Sequence, residues 1–166
     1  MLYYIPEKLK IVVGESDASM NSEDIVPTLL SLCEIPIPDT VEGIDYRPYL
    51  EGKEQIGDAT LLSCLQPFGQ WNKVQHGARE YRTIKTEQYT YAKDLTGAWL
   101  LFDNYKDPYQ MNNLAGNTAY ASLQSDLDER LTKRLKETGD EFLPGMDYIE
   151  KWGYPVDDTG TVPYTH

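Results

Sequence analysis

Groups able to do chemistry are sparse in this chain, and the ones that exist gather in one segment. Only two histidines are present, His76 and the terminal His166, so a Ser–His–acid site would have to use His76. No serine stands in a GxSxG elbow, and neither a GxxxxGK phosphate loop nor an HExxH metal helix occurs. The carboxylates are numerous but scattered. The segment Pro67–Arg79 is different: Trp71 offers a flat apolar face, Asn72 and Gln75 offer paired donors and acceptors, and Lys73, His76 and Arg79 bring positive charge. That set could hold an anionic sugar. The plainer alternative is an ordinary loop whose Trp71 packs on a sheet.

Bulk composition narrows the partners. The chain has 15 Lys+Arg against 27 Asp+Glu, a net charge of −12, which repels phosphate backbones and leaves no basic footprint for nucleic acid. No apolar run approaches the roughly 20 residues needed to cross a bilayer. Met1–Val13 lacks the charged-then-apolar layout of a signal peptide, and the compartment stays open. The cysteines, Cys33 and Cys64, fall in apolar runs outside any CxxC or Cys/His cluster. They read as small buried hydrophobes rather than zinc ligands. The 13 tyrosines suit half-buried sheet surfaces.

The elements that must position the Pro67–Arg79 segment are legible from spacing. Met1–Val13 reads as a strand end and a surface turn. Ser22 caps a helix whose apolar set Ile25, Val26, Leu29, Leu30, Leu32 and Cys33 predicts a wide buried face, ended by Pro36 and Pro38. Gly43–Leu50 reads as a turn leading into one short helical turn. Ala59–Leu65 is a buried strand. Glu80–Thr86, Tyr89–Asp94 and Ala98–Asp103 follow as closely spaced strands, with a tight turn at Leu95–Gly97, so the sheet is antiparallel. Asn117 or Thr118 then caps a long helix whose stripe Tyr120, Leu123, Leu127, Leu131 and Leu135 must bury against that sheet, and Gly139 stops it. Phe142–His166 shows no helical period and reads as an extended tail. The expected fold class is α+β: a small antiparallel β-sheet packed against one long C-terminal helix.

Four motifs, in order, resemble the late part of sulfatases. Glu23-Asp24-Ile25-Val26-Pro27-Thr28-Leu29-Leu30, followed by Ile35-Pro36-Ile37-Pro38, is similar to the family's Asp-Ile-x-Pro-Thr-Leu-Leu helix and the turn after it. Gly43 to Gly52, with Pro48 and Leu50, is similar to its Gly-x-x-L-x-P-x-L-x-G piece. Tyr81-Arg82-Thr83-Ile84-Lys85-Thr86, with Tyr89 and Tyr91, resembles its W-R-x-V-R-T-x-x-Y-x-Y hairpin, with Tyr81 in the place of the tryptophan. Leu101-Phe102-Asp103, with Asp107 through Leu114, resembles LYDLxxDPxExxNL.

The resemblance, closest to bacterial arylsulfatase-like enzymes of the alkaline-phosphatase superfamily, implies a division of the chain. Residues 1–57 would be a remnant of the sulfatase α/β domain, residues 58–140 the C-terminal subdomain of sheet plus helix, and residues 141–166 an extended tail. It also implies hydrolysis of sulfuric esters by a formylglycine made in a C/S-x-P/A-x-R motif, with a calcium ion polarising the sulfate. Cys33 is followed by Glu-Ile-Pro-Ile and Cys64 by Leu-Gln-Pro-Phe, so neither fits that motif, and the family's acidic calcium ligands have no counterpart in the motifs matched. No catalytic residue, formylglycine or calcium is therefore expected in this chain. The leading expectation is a C-terminal sulfatase portion, inactive alone, whose partner is the missing N-terminal catalytic domain or another chain supplying it. In that case Met1–Leu50 would expose apolar surface and promote self-association. The resemblance also implies that the segment before the hairpin can sit at the rim of the substrate cleft, which makes Trp71, Asn72, His76 and Arg79 the candidate substrate contacts. The alternative is a free-standing non-catalytic module that binds an anionic glycan or a partner chain.

Overall fold

The computed structural model describes residues 18–53, 57, 59–65 and 79–157. The expectations for Met1–Val13, for most of Pro67–Arg79 and for the last nine residues of the tail lie outside them. The chain forms two compact units, Met1–Thr60 and Leu61–His166.

In the first unit a 3-10 turn, Ser22–Asp24, runs into helix α1, Ile25–Leu32, and a second short helix, α2, spans Arg47–Leu50. Asn21, not Ser22, is the N-cap residue of the turn. Asp24 is buried and ties the unit together: its carboxylate accepts the N–H of Asn21 and the N–H of Ile44, each at 2.8 Å. Thr28 adds to this by donating to the Asp24 carbonyl at 2.6 Å while accepting the N–H of Tyr46 at 3.0 Å. Gly43 is required here, because a Cβ at that position would sit 2.0 Å from the carbonyl oxygen of Glu23.

The predicted buried face of α1 is corrected by the structure. Its buried residues are Pro27 and Thr28, whereas Ile25, Val26 and Leu29 are about half exposed, at 47%, 53% and 53%. Cys33, expected inside, is also exposed, and Cys64 is half-buried; both are free thiols. The physical reason is polar: the side of α1 that carries Thr28, next to Asp24, is used to satisfy the backbone of the Gly43–Tyr46 segment. Its apolar side is therefore turned outward.

The second unit is built on a four-stranded sheet in the order β1 (Ala59–Cys64), β2 (Tyr81–Thr86), β3 (Tyr89–Asp94), β4 (Gly97–Asp103). The β2–β3 and β3–β4 pairs are antiparallel, with Ile84 opposite Tyr91 and Tyr91 opposite Leu101. Gly97 takes φ +130 at the end of the β3–β4 turn, a conformation open to glycine.

Asn117 caps the 3-10 turn Thr118–Tyr120, accepting the N–H of Ala119, and helix α3 continues over Ala121–Thr138. Its stripe buries against β2 and β3 as the spacing predicts, with Leu127, Leu131 and Leu135 withdrawn from water beside Ile84, Tyr91 and Leu101 in the core. Gly139 ends α3 in the left-handed conformation, and the N–H of Asp140 returns to the Leu135 carbonyl at 2.9 Å, the closing bond of a Schellman turn. The α+β expectation of an antiparallel sheet with one long packed helix therefore holds.

The extended-tail reading of the end of the chain does not hold as far as Gly153. Helix α4 spans Gly145–Trp152, starting after Pro144 and closed by Gly153 at φ +66. It is held by contacts outside itself. The Tyr148 hydroxyl donates to Asp140 at 2.6 Å, the N–H of Gly145 reaches Glu80 at 3.4 Å, and Lys151 pairs with Glu141 at 2.6 Å. No helix among the described residues is long and apolar enough to cross a membrane.

Candidate functional site

Of the four candidate contacts, Trp71, Asn72 and His76 lie outside the described residues. Arg79 lies within them, immediately before β2. Because Tyr81 opens β2 opposite Asp94, the end of β3, Arg79 emerges at the end of the sheet where β3 turns into β4. There it is engaged rather than loose. Its Nη1 donates to Asp94 Oδ2, and its guanidinium lies over the Trp99 ring, 5.0 Å from the centroid. Tyr81 packs on the same ring at 5.6 Å. The tyrosine standing where the resembled hairpin has tryptophan thus keeps an aromatic contact.

Asp94 is fixed from the other side. Its Oδ1 accepts the N–H of Thr96 at 2.8 Å and the Thr96 hydroxyl at 2.6 Å, the usual way an Asp shapes a tight turn. Burial pushes its carboxyl up, but the hydrogen bonds from Thr96 and Arg79 outweigh burial and hold it below the ordinary carboxylate range. Arg79, Asp94, Thr96 and Trp99 therefore form a clasp that sets where the segment ending at residue 79 joins the sheet. With one N–H on Asp94, the Arg79 side chain remains 44% exposed. The arrangement can orient a segment and present positive charge. Its one hydroxyl, that of Thr96, is committed to Asp94 in shaping the turn.

A second polar cluster, missed by the sequence reading, lies inside the fold. Arg82 is fully buried at 0% exposure. Its Nε and Nη2 donate to the two oxygens of Asp140, its Nη1 donates to the Cys64 carbonyl at 3.2 Å, and its guanidinium lies 4.6 Å from the centre of the Phe142 ring. Asp140 also accepts the Tyr148 hydroxyl and the Phe142 N–H. Burial raises the Asp140 carboxyl, and these donors, Arg82 first, more than reverse it, so it ionises below the ordinary range. The only advance signal was the alternation of Arg82 with Ile84 and Thr86 on one strand face. A third cluster joins Tyr91 and Lys93, on one face of β3, to Asp128 of α3 at 2.8 and 2.9 Å. Burial is the main reason the Tyr91 hydroxyl is held well above its ordinary pKa. Both clusters are fully used in holding elements together. Among the described residues no group of three or more His, Cys, Asp or Glu side chains is placed to hold a metal ion, so the calcium of the resembled family finds no ligand set there.

Comparison with known proteins explains an architecture that is well built but chemically quiet. The family described as N-sulphoglucosamine sulphohydrolase, C-terminal, matches residues 1–137. The Ulvan-active sulfatase of Formosa agariphila is 40% identical over 83% of this chain and 26% of its own length. The N-acetylglucosamine-6-O-sulfatase of Bacteroides thetaiotaomicron is 25% identical over 81% of this chain and 24% of its own. Among solved structures, the phosphonate monoester hydrolase of Agrobacterium radiobacter superposes with a TM-score of 0.55 at 25% identity, over 86% of this chain and 28% of that one. The chain thus spans about a quarter of the length of these relatives. By the family match over most of its length, the chain belongs to the sulfatases and carries their C-terminal region.

Proposed function

We propose that this chain serves as the C-terminal part of a sulfatase acting on a sulfated saccharide, inactive alone and completed by the family's catalytic region. The observation that carries this reading is the orientation of α1. A helix that faces outward with Ile25, Val26 and Leu29 while burying Asp24 and Thr28 beside it is built to be covered by something larger. The family membership says what that would be, since the matched part makes up only 26% of the Formosa agariphila relative. The saccharide is suggested by two relatives whose names specify ulvan and N-acetylglucosamine as targets.

Within that enzyme the segment ending at Arg79 would form part of the cleft rim. Trp71, Asn72 and His76 would contact the sugar. Arg79, clasped by Asp94 and Trp99, would fix the segment and turn its remaining donors toward sulfate. The nucleophile and the calcium ion would come from the catalytic region, where the ion would polarise the sulfate.

The test is an arylsulfate assay with calcium, run on the purified chain and on the chain mixed with a separately produced catalytic region. No turnover by the chain alone and turnover by the mixture are expected. Hydrolysis by the chain alone would overturn the reading.

A further inference from the structure

We infer that the loop from Asp103 to Leu114 is a docking loop, and that Tyr109 and Met111 are the anchors by which the sheet-and-helix unit grips the catalytic region of the sulfatase. This rests on the function proposed above and names a surface on which that function depends.

Tyr109 and Met111 are the most exposed large apolar residues among those described, at 85% and 84%. Single exposed apolar side chains are ordinary. These two differ because the backbone that carries them is pinned. The Asp107 carboxylate accepts the N–H groups of Met111 at 3.0 Å and Asn112 at 2.7 Å, and its carbonyl accepts the N–H of Gln110 at 2.9 Å. Gln110 sits at φ +54, a strained choice for a non-glycine residue, and its side-chain amide donates to Thr90 on β3 at 3.2 Å and to Asn104, in the loop just past β4, at 3.1 Å. Beyond them, Asn113 bridges back to β4, accepting the N–H of Leu101 and donating to the Trp99 carbonyl, each at 2.9 Å.

A loose loop would fold its tyrosine and methionine against the nearest apolar surface. This one is fixed on both sides of them, and they are held away from the unit. Ordering the loop in advance removes an entropy cost that a partner would otherwise meet on binding.

The chemistry selects the partner. Tyrosine and methionine are both enriched at protein interfaces. A tyrosine alone would also suit a sugar ring, but the Met111 thioether gives a sugar hydroxyl no useful partner, and the loop's carboxylates, Asp103 and Asp107, outnumber its one lysine, Lys106, which is already paired with Asp103. A second copy of this chain would bring another −12 charge to the contact. The region that makes up the other three quarters of the matched relatives is the occupant that the family match itself supplies, and a protein surface is what tyrosine and methionine anchors suit.

The experiment measures binding of this chain to the part of the Formosa agariphila sulfatase that precedes its matching quarter, produced separately. Three forms are compared by calorimetry: wild type, the double variant Tyr109→Ser/Met111→Ser, and the α1 variant Ile25→Ser/Leu29→Ser. The inference expects the loop variant to melt like wild type and to bind roughly tenfold or more weakly. If the loop variant binds like wild type while the α1 variant binds more weakly, the sulfatase reading stands and the docking loop is wrong. A lowered melting temperature in the loop variant would equally overturn it, by giving the two side chains a structural role. If the wild-type chain does not bind at all, both fall.

Discussion

Arg82 and Asp140 stand 58 residues apart in the chain and meet in a forked ion pair, Nη2 to Oδ1 at 3.1 Å alongside the Nε–Oδ2 bond. The arginine is wholly buried and the aspartate side chain is 17% exposed. The pair joins β2 to the turn that ends α3, and through Tyr148 it also secures α4. Removing one member of such a pair leaves the other charge buried without compensation. Asp140→Asn should lower stability by about 3 kcal/mol, toward the low end for buried pairs because Asp140 keeps some contact with water. Urea unfolding followed by circular dichroism would measure it. A change below about 0.5 kcal/mol would contradict the importance given to this pair.

The same carboxylate makes a prediction about pH. Its pKa is depressed in the folded state, so its contribution is fully present above the unfolded carboxylate value, about 4, and is lost as pH falls through the lower folded value. Asp94 and Asp103 are shifted in the same direction. Stability should therefore be flat near neutrality and fall below about pH 4. Asp140→Asn should show a shallower acid limb than wild type. Melting curves from pH 7 down to 2 would reveal it, and identical limbs for the two proteins would count against the assignment.

Gly43→Ala places a methyl group where the carbonyl of Glu23 already sits, 2.0 Å away. Backbone cannot move aside as a flexible side chain can, so the cost belongs at the upper end of about 1–3 kcal/mol for overpacking. The damage should be local. Hydrogen exchange should quicken at Ile44 and Tyr46, whose N–H groups depend on Asp24 and Thr28, and should stay unchanged at Leu101.

Leu131 is fully buried in the stripe that α3 lays on the sheet. Leu131→Ala should cost about 2–5 kcal/mol through lost burial and the cavity left behind. Thermal melts of the two proteins would decide it. A melting temperature within 1 °C or so of wild type would mean that the stripe is not the core.

Ile25→Ser/Leu29→Ser should do the opposite of a core substitution. Both residues are about half exposed, so the variant should unfold with wild-type stability, within about 0.5 kcal/mol. With added salt to screen its −12 charge, the wild-type chain should self-associate through α1 as its concentration rises, and the variant should not. Light scattering over a concentration series would show the difference; a monomeric wild type would argue against a sticky α1.

The strands and the long helix were legible because their periods are strict. Leu127, Leu131 and Leu135 recur every four residues, and Tyr89–Asp94 is bounded by turns short enough to force antiparallel pairing. The orientation of α1 was not legible, since amphipathic spacing assigns the apolar side to the inside. It cannot report that Asp24 and Thr28 are needed there to satisfy the backbone of Gly43–Tyr46. Helix α4 escaped because eight residues give barely two turns, although Pro144 and Gly153 stand where a start and a stop belong. Arg82 escaped for a further reason: its counter-charge is remote in sequence, and an arginine on a strand reads locally as solvated. Arg79 was singled out as a candidate substrate contact from its segment alone; its holders, Asp94 on β3 and Trp99 on β4, became visible only once those strands were paired.

The family model matches as far as residue 137, and the Schellman turn delivers Asp140 just beyond that point. A fragment excised at the family's edge would retain every strand and all but the last residue of α3, yet would seal a permanent cation inside with no anion to answer it. The edge of the family match and the energetic boundary therefore differ by about one short helix. An expression fragment that respects the second should run through Trp152.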